Sequence, residues 1–322
     1  MAGGQERVLR RRIRSVQSTK KITKAMELIA ASRIAKAQQR VAAAKPYSEQ
    51  ITQVIRNLAA AGAGGDSPLL QQREQISTVA YVVCTADRGL AGGYNSSVIR
   101  RAERAILADR AEGRSTALVT IGKKAYGYFR FRGYEVAESF DGFSDRPSYD
   151  DARRVAQFVA EKFEAGEYDQ VRLVYTQFLS LGSQVSTTAA YMPLDRSTIE
   201  ASAKEGHTAD YEFEPEPSEI LERLLPRYAE ARLYAALLEG AASEHAARQR
   251  AMKSATDNAE DLITRLSRRM NRARQDAITT EIMEIVGGAE ALRQAGDGDT
   301  DLLVDFVGGG HDLFHQIDSP AR

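Results

Sequence analysis

The stretch Ala30-Ala31-Ser32-Arg33-Ile34-Ala35-Lys36-Ala37-Gln38-Gln39-Arg40-Val41-Ala42-Ala43-Ala44 decides how this 322-residue chain is built. Within it Ala30, Ile34, Ala37, Val41 and Ala44 recur at spacings of 4, 3, 4 and 3, and Ile51 and Leu58 each follow a heptad further on. That recurrence lines apolar side chains along one stripe of an α-helix, and the small ones let a second helix approach closely. The surrounding texture is the same. From Glu6 to Leu58 alanine, lysine, arginine, glutamine and glutamate dominate, glycine is absent, and Pro46 is the one proline. These residues favour a single helix of about 50 residues, roughly 75 Å long, with Pro46 as the place for a kink.

A helix of that length needs a partner for its stripe, and the C-terminal half supplies one. Met252, Ala255, Ala259, Leu262 and Leu266 step 3, 4, 3 and 4, in a region without proline from Arg227 to Leu292. Ser218 reads as the N-cap of this second helix, with Ile220, Leu221, Leu224 and Leu225 opening it and Pro226 marking an irregular first segment. Two such helices at opposite ends of the chain bury their stripes by pairing antiparallel, as a coiled coil.

Between them the texture changes. Strand-like segments at Gln75–Cys84, Ser115–Ile121, Tyr134–Val136, Gln170–Phe178 and Val185–Met192 alternate with helical ones at Ser96–Ala111, Lys123–Phe131 and Asp150–Phe163. Alternation of this kind predicts an α/β domain with a central, mostly parallel sheet of Rossmann-like type. The expected organisation is therefore an N-terminal coiled-coil helix (1–60), a linker (61–74), a central α/β domain (75–195), an acidic connecting loop (196–217), a C-terminal coiled-coil helix (218–292) and a disordered acidic tail (293–322). Gly and Asp dominate that tail, which also carries Leu302-Leu303-Val304 and Phe314.

Charge is balanced overall, 44 basic against 44 acidic residues, but not evenly spread. The first sixty residues hold thirteen Lys or Arg and three acids, whereas Asp195–Glu222 is strongly acidic. A basic helix end suits a polyanion or an acidic protein collar. The one cysteine, Cys84, sits in an apolar run and reads as core, so no disulfide framework is expected. His207 and His245 lie far apart among residues that do not ligate metals, and neither a GxGxxG nor a GxxxxGK[ST] phosphate loop occurs. No run approaches the roughly 18 to 20 apolar residues of a membrane span, and the start lacks a signal-peptide core. The sequence carries no arrangement that points to catalysis and implies no cofactor.

Three stretches are more specific. Ile13–Ser32, which includes Lys24-Ala25-Met26-Glu27, resembles the first helix of the gamma subunits of F-type ATP synthases. Asp87-Arg88-Gly89-Leu90-Ala91-Gly92-Gly93-Tyr94-Asn95 resembles a loop of the same family, although many members place cysteine where this chain has Ala91. The C-terminal runs Ala251–Ala259, Asn271-Arg272-Ala273-Arg274-Gln275 and Ile278-Thr279-Thr280-Glu281-Ile282-Met283-Glu284-Ile285-Val286-Gly287-Gly288-Ala289 are similar to the family's closing signature. The resemblance covers about residues 6 to 292; the tail from Arg293 is a departure from it.

The resemblance implies a central-stalk rotor with no active site of its own. Its expected partners are the alpha and beta subunits of the catalytic hexamer, the epsilon subunit and the c-ring of the membrane sector, with nucleic acid excluded. Its expected place is the cytoplasmic face of the cell membrane, peripheral and held through the complex. Matching positions give candidate partner-contact residues. Lys24 and Met26 fall in the family's coupling region, Met26 being both an adaptable contact and a seam residue. Arg274 and Gln275 match a catch against acidic beta-subunit residues, where a guanidinium holds a carboxylate through two parallel bonds. Arg88, Thr279 and Glu281 complete the set. The rival readings are a coiled-coil adaptor with an α/β foot, which leaves the three motifs unexplained, and a small-molecule α/β enzyme, which predicts a pocket of converging polar groups.

Overall fold

The computed structural model describes residues 2–60, 67–194 and 214–296. In chain order the elements are α1 (Ala2–Ala60), a short 3-10 turn (Pro68–Leu70), β1 (Thr78–Cys84), α2 (Tyr94–Ala111), β2 (Ser115–Ile121), α3 (Lys123–Phe131), β3 (Glu138–Phe140), α4 (Tyr149–Glu164), β4 (Gln170–Phe178), β5 (Gln184–Met192) and α5 (Pro217–Gly296). The residues fall into two compact units. Lys20–Asn258 forms one; Met1–Thr19 with Ala259 onward forms the other.

The larger unit is organised by β1, whose residues are buried on both faces. Val79, Tyr81 and Val83 point to one side and pack with Val98, Ala102 and Ile106 of α2 and Phe129 of α3. Ala80, Val82 and Cys84 point to the other and pack with α4, with Ile51, Ile55 and Leu58 of α1, and with Leu221–Leu237 of α5. Alternation with a period of two gives a central strand covered by helices on both faces. The sheet order is β3-β2-β1-β4-β5; β3, β2, β1 and β4 run parallel and β5 pairs antiparallel to β4. The mostly parallel α/β sheet is thus present, with its antiparallel strand at one edge.

Within this unit α1 and α5 pair antiparallel. Thr23 meets Thr256 through a 2.8 Å hydroxyl–hydroxyl hydrogen bond. Ala37 lines one cavity with Leu238, Ala241 and His245, and Ala44 and Tyr47 line another with Ala231 and Tyr234. Rising numbers on α1 therefore meet falling numbers on α5. Ala30, Ile34, Ala37, Ile51 and Leu58 are buried as their spacing requires, while Val41 and Ala44 are half-buried. Of the second stripe, Met252 is buried and Ala255 half-buried. In the smaller unit Ile13 of α1 and Ala259 and Leu266 of α5 are buried.

Several local expectations change. Tyr134–Val136 is not a strand; the third strand lies at Glu138–Phe140, because Tyr134 instead packs on Phe129 beneath α3 and its amide donates to the Phe129 carbonyl. Ser218 is not an N-cap but the second residue of α5, which starts at Pro217, where a missing N–H costs nothing. Helix runs unbroken through Pro46 and Pro226, and α5 continues through Gly287-Gly288 to Gly296. The tail from 297 on, the loop from Asp195 to 213 and linker residues 61–66 lie outside the described residues.

Candidate partner interface

The C-terminal candidates belong to the smaller unit. There the buried line of α5 runs through Leu266, with Met270, Ala273 and Ala277 half-buried behind it at spacings of 4, 3 and 4. At 100° per residue, Arg274 lies to one side of that line, and Gln275 and Thr279 lie round on the far side. Arg274, Gln275, Thr279 and Glu281 are all exposed, and so is every residue from Ile278 through Ala291. The Thr279 hydroxyl donates to the Gln275 carbonyl at 3.0 Å, which leaves its methyl and the Gln275 amide outward. Ile278, Ile282, Met283, Ile285 and Val286 are 46 to 72% exposed. Arg274, Ile278, Glu281 and Ile285 share one face at spacings of 4, 3 and 4, a guanidinium and a carboxylate set among aliphatic chains. Contiguous exposed apolar surface with interspersed charge is the signature of a surface that another chain covers.

The N-terminal candidates belong to the larger unit. Lys24 is exposed, with Nζ 3.1 Å from the Glu27 carboxylate, and Met26 is half-buried beside the Thr23–Thr256 contact. Met26 thus flanks the seam while keeping part of its thioether outward.

Arg88 stands on the loop after β1, and the structure gives that loop a definite construction. The Asp87 carboxylate accepts from the amides of Lys123 (3.2 Å), Gly142 (3.0 Å) and Ser144 (3.1 Å). Asn95 accepts from the Ala86 amide at 2.8 Å, and Arg248 of α5 donates to the Gly89 carbonyl at 3.2 Å. Leu90 and Gly92 both take positive φ, 64° and 55°. Asp87 is therefore occupied in holding three loops together, and Arg88 is left exposed at the tip. A cleft of about 420 Å³ adjoins Gly92 and Gly93, but its arginine, Arg250, is engaged by the Leu181 carbonyl and Gln184. Among the described residues no group of His, Cys, Asp and Glu is placed to hold a metal.

One polar group escaped the sequence reading. Ser243, Glu244 and His245 are three consecutive residues of α5 that are all buried. Burial pushes the Glu244 carboxyl up, opposed by Arg248, which binds its Oε1 at 2.7 Å. Burial pushes the His245 imidazole down; Nε2 lies 3.1 Å from the Asp145 carbonyl, and Arg33 pairs with the Asp145 carboxylate at 2.7 Å. The available signal was the run Ala241-Ala242-Ser243-Glu244-His245-Ala246-Ala247: small residues all round a helix mean burial all round. Cys84 is buried as expected, and its thiol is pushed up to about 12.

These features define a subunit that acts by contact with other chains. Residues 5–292 match the family model described as ATP synthase, and the chain belongs to that family. Within the family its relatives are gamma chains. It is 54% identical over 293 residues to the ATP synthase gamma chain of Frankia casuarinae, covering 90% of this chain and 98% of that one. It is 47% identical to that of Streptomyces coelicolor over 304 residues, 92% of this chain and 99% of that one. Among solved structures it is similar to the central stalk/c-ring of the Tetrahymena thermophila mitochondrial ATP synthase, at 26% identity and a TM-score of 0.56 over 73% of this chain and 99% of that one. A chain of the Euglena gracilis mitochondrial enzyme shares the fold at 18% identity, with a TM-score of 0.61 over 91% and 96% of the two chains.

Proposed function

We propose that this central-stalk rotor subunit couples rotation to catalysis through two contact surfaces. Arg274, Gln275, Thr279 and Glu281 face the alpha and beta subunits, with Lys24 and Met26 forming a second contact with the same hexamer. Arg88, on its braced loop, belongs to the surface that meets the epsilon subunit or the c-ring. The subunit itself is not catalytic: it binds different conformations of the catalytic sites unequally, and that difference is what drives them through their cycle. Among the described residues no helix is long and apolar enough to cross a membrane. We place the chain on the cytoplasmic face of the membrane, held there through the complex.

The observation that carries this reading is the bare stretch of α5 from Arg274 to Val286. It is helical, mixed apolar and charged, and, half-buried Ala277 apart, every residue of it is exposed. The test is Arg274→Ala with Gln275→Ala in the reconstituted complex. Losing one charge-assisted contact of about 1.5–3 kcal/mol should lower ATP hydrolysis roughly ten-fold or more while subunit stoichiometry stays intact. Unchanged turnover would remove these residues from the coupling surface.

A further inference from the structure

The cleft beside Gly92 and Gly93 opens where the strand order of the sheet reverses. From β1 the chain passes to β2 on one side, while β4 pairs with β1 on the other. In open α/β sheets ligands settle outside the carboxyl ends of the strands at such a switch point. The cleft lies wholly within the larger unit, between the loop after β1, the first turn of α2, Thr176 near the end of β4, and Ala247 and Ala251 of α5. Its volume of about 420 Å³ falls within the roughly 300–1,000 Å³ of small-ligand sites.

Three observations give the cleft a chemistry. The helix α2 is 18 residues long and begins without a cap: Gly93 has no side chain to offer, and no acid stands in the first turn. A bare N-terminus of this kind carries partial positive charge and amides without helical partners, and it favours an anion. Thr176 is 6% exposed, and its Oγ1 has no hydrogen-bond partner among the described residues. Alternation along β4 turns Thr176, like Val174, to the α2 side, and Ser186 of β5 stands directly across from it. A buried hydroxyl without a partner is costly, and a ligand oxygen would offset that cost. Arg250 lines the same cleft, held by the Leu181 carbonyl at 2.6 Å and by the Gln184 side-chain oxygen. Both partners are neutral, so the guanidinium is fixed in place with its charge intact. No Asp or Glu is among the residues lining the cleft, and Ala91, Ala247 and Ala251 make part of its wall apolar.

We propose that this cleft binds a small phosphate ester. Its phosphate sits at the start of α2 between Arg250, Thr176 and Ser186, and its organic part lies against Ala91, Ala247 and Ala251. The bound ligand ties α5 to α2 and β4.

Calorimetric titration of the full chain with phenyl phosphate tests this, with inorganic phosphate as the second probe. One saturable site is expected, tighter for the ester. Arg250→Gln should weaken it about ten-fold or more, as the loss of a charge-assisted contact predicts, whereas Arg130→Gln, at an exposed position of α3, should leave it unchanged. Thr176→Val keeps the shape and removes the hydroxyl. Affinity should fall several-fold while the Tm holds or rises, because in the free chain that hydroxyl donates to nothing described. Gly93→Asp sets a carboxylate at the start of α2, where a Cβ meets only the Ser97 and Ser96 hydroxyls at 3.8 and 3.9 Å; it should abolish binding without lowering the Tm. The proposal is overturned by any of four results: no saturable binding at millimolar phenyl phosphate, equal weakening by Arg250→Gln and Arg130→Gln, undiminished binding by Thr176→Val, or inorganic phosphate binding at least as tightly as the ester. Should Arg250→Gln not fold, Thr176→Val and Gly93→Asp decide the matter between them.

Discussion

A double-mutant cycle on Thr23 and Thr256 measures whether α1 and α5 pair in the observed register. Their hydroxyls lie 2.8 Å apart and are buried. Thr256 also donates to the Met252 carbonyl at 2.9 Å, so the simplest proton order is Thr23 to Thr256 to Met252. Valine keeps the shape and removes the hydroxyl. Thr23→Val loses the shared bond and leaves the bond from Thr256 to Met252 intact. Thr256→Val loses the shared bond too, but Thr23 can still reach the Lys20 carbonyl at 3.1 Å. Each single change should cost about 0.5–1.5 kcal/mol, before the gain from burying a methyl, which cancels in the cycle. The shared bond is counted in both singles and only once in the double, so the double variant should cost about 1 kcal/mol less than the sum. Urea unfolding of the four full chains, followed by far-UV circular dichroism, reads this coupling. Additivity within about 0.3 kcal/mol is what separated residues show, and it would refute the pairing of residue 23 with residue 256.

Three further outcomes follow from the structure. Gly122 has φ of 90°, and a Cβ there would lie 2.2 Å from the Thr85 carbonyl oxygen, a backbone atom that cannot swing aside. Gly122→Ala should therefore destabilise the larger unit by about 3 kcal/mol or more, seen as a lowered Tm. Arg274→Ala in the free chain should change stability by less than about 0.5 kcal/mol, since the side chain is exposed and makes no ion pair among the described residues. For His245 the folded imidazole titrates below the ordinary value of 6.5. The unfolded chain then binds the proton more readily, so stability is lost as pH falls from 6.5 through the lower folded value. Glu244, raised by burial, acts in the opposite sense above 4.5, gaining stability as pH falls. His245→Gln should flatten the acid-side loss, measured as the pH dependence of the urea midpoint between about pH 7 and 5; an unchanged slope would show that His245 does not cause it.

Much of the fold was legible because it rests on periodicity. The 4, 3, 4, 3 stripe from Ala30 buries Ala30, Ile34 and Ala37 and half-buries Val41 and Ala44, and the apolar run Val79–Cys84 is buried throughout. What was missed depends on tertiary context. Nothing local distinguishes Tyr134–Val136 from a strand; it fails because Phe129 claims Tyr134. Ser218 looked like a cap because serine before an apolar run usually is one, but proline at the first helical turn served equally well. Thr23 and Thr256 interrupt an apolar stripe, and their burial is tolerable because the hydroxyls meet each other and reach the Lys20 and Met252 carbonyls. The candidate contact residues rest on resemblance alone. By residue type Arg274 is one arginine among many on a long helix, and the structure adds that it stands exposed on a face shared with aliphatic side chains.

The two environments of α5 bear on how such a subunit can transmit force. Between Tyr228 and Arg248 most of the helix is buried, tied to the sheet by Ser243 donating to the Thr176 carbonyl and to the β1 loop by Arg248. From Arg274 to Ala291 nearly everything is exposed, and the hydroxyls of Thr279 and Thr280 bond back to the helix itself. A helix free along its whole length would turn on its axis under load, whereas one gripped by polar bonds resists, because slipping by one residue would break the bonds from Arg248 to the Gly89 carbonyl and from Ser243 to the Thr176 carbonyl. Buried polar groups are costly to unpair, and this makes them better anchors than apolar packing, which tolerates small slides. Weakening the grip should then uncouple without unfolding: Arg248→Lys, which keeps the charge but not the guanidinium whose Nη2 bonds both Glu244 and the Gly89 carbonyl, is expected to lower ATP-driven rotation in the assembled complex more than it lowers the Tm of the free chain. A proportional loss of both would make Arg248 a stability residue alone and remove the gripping argument.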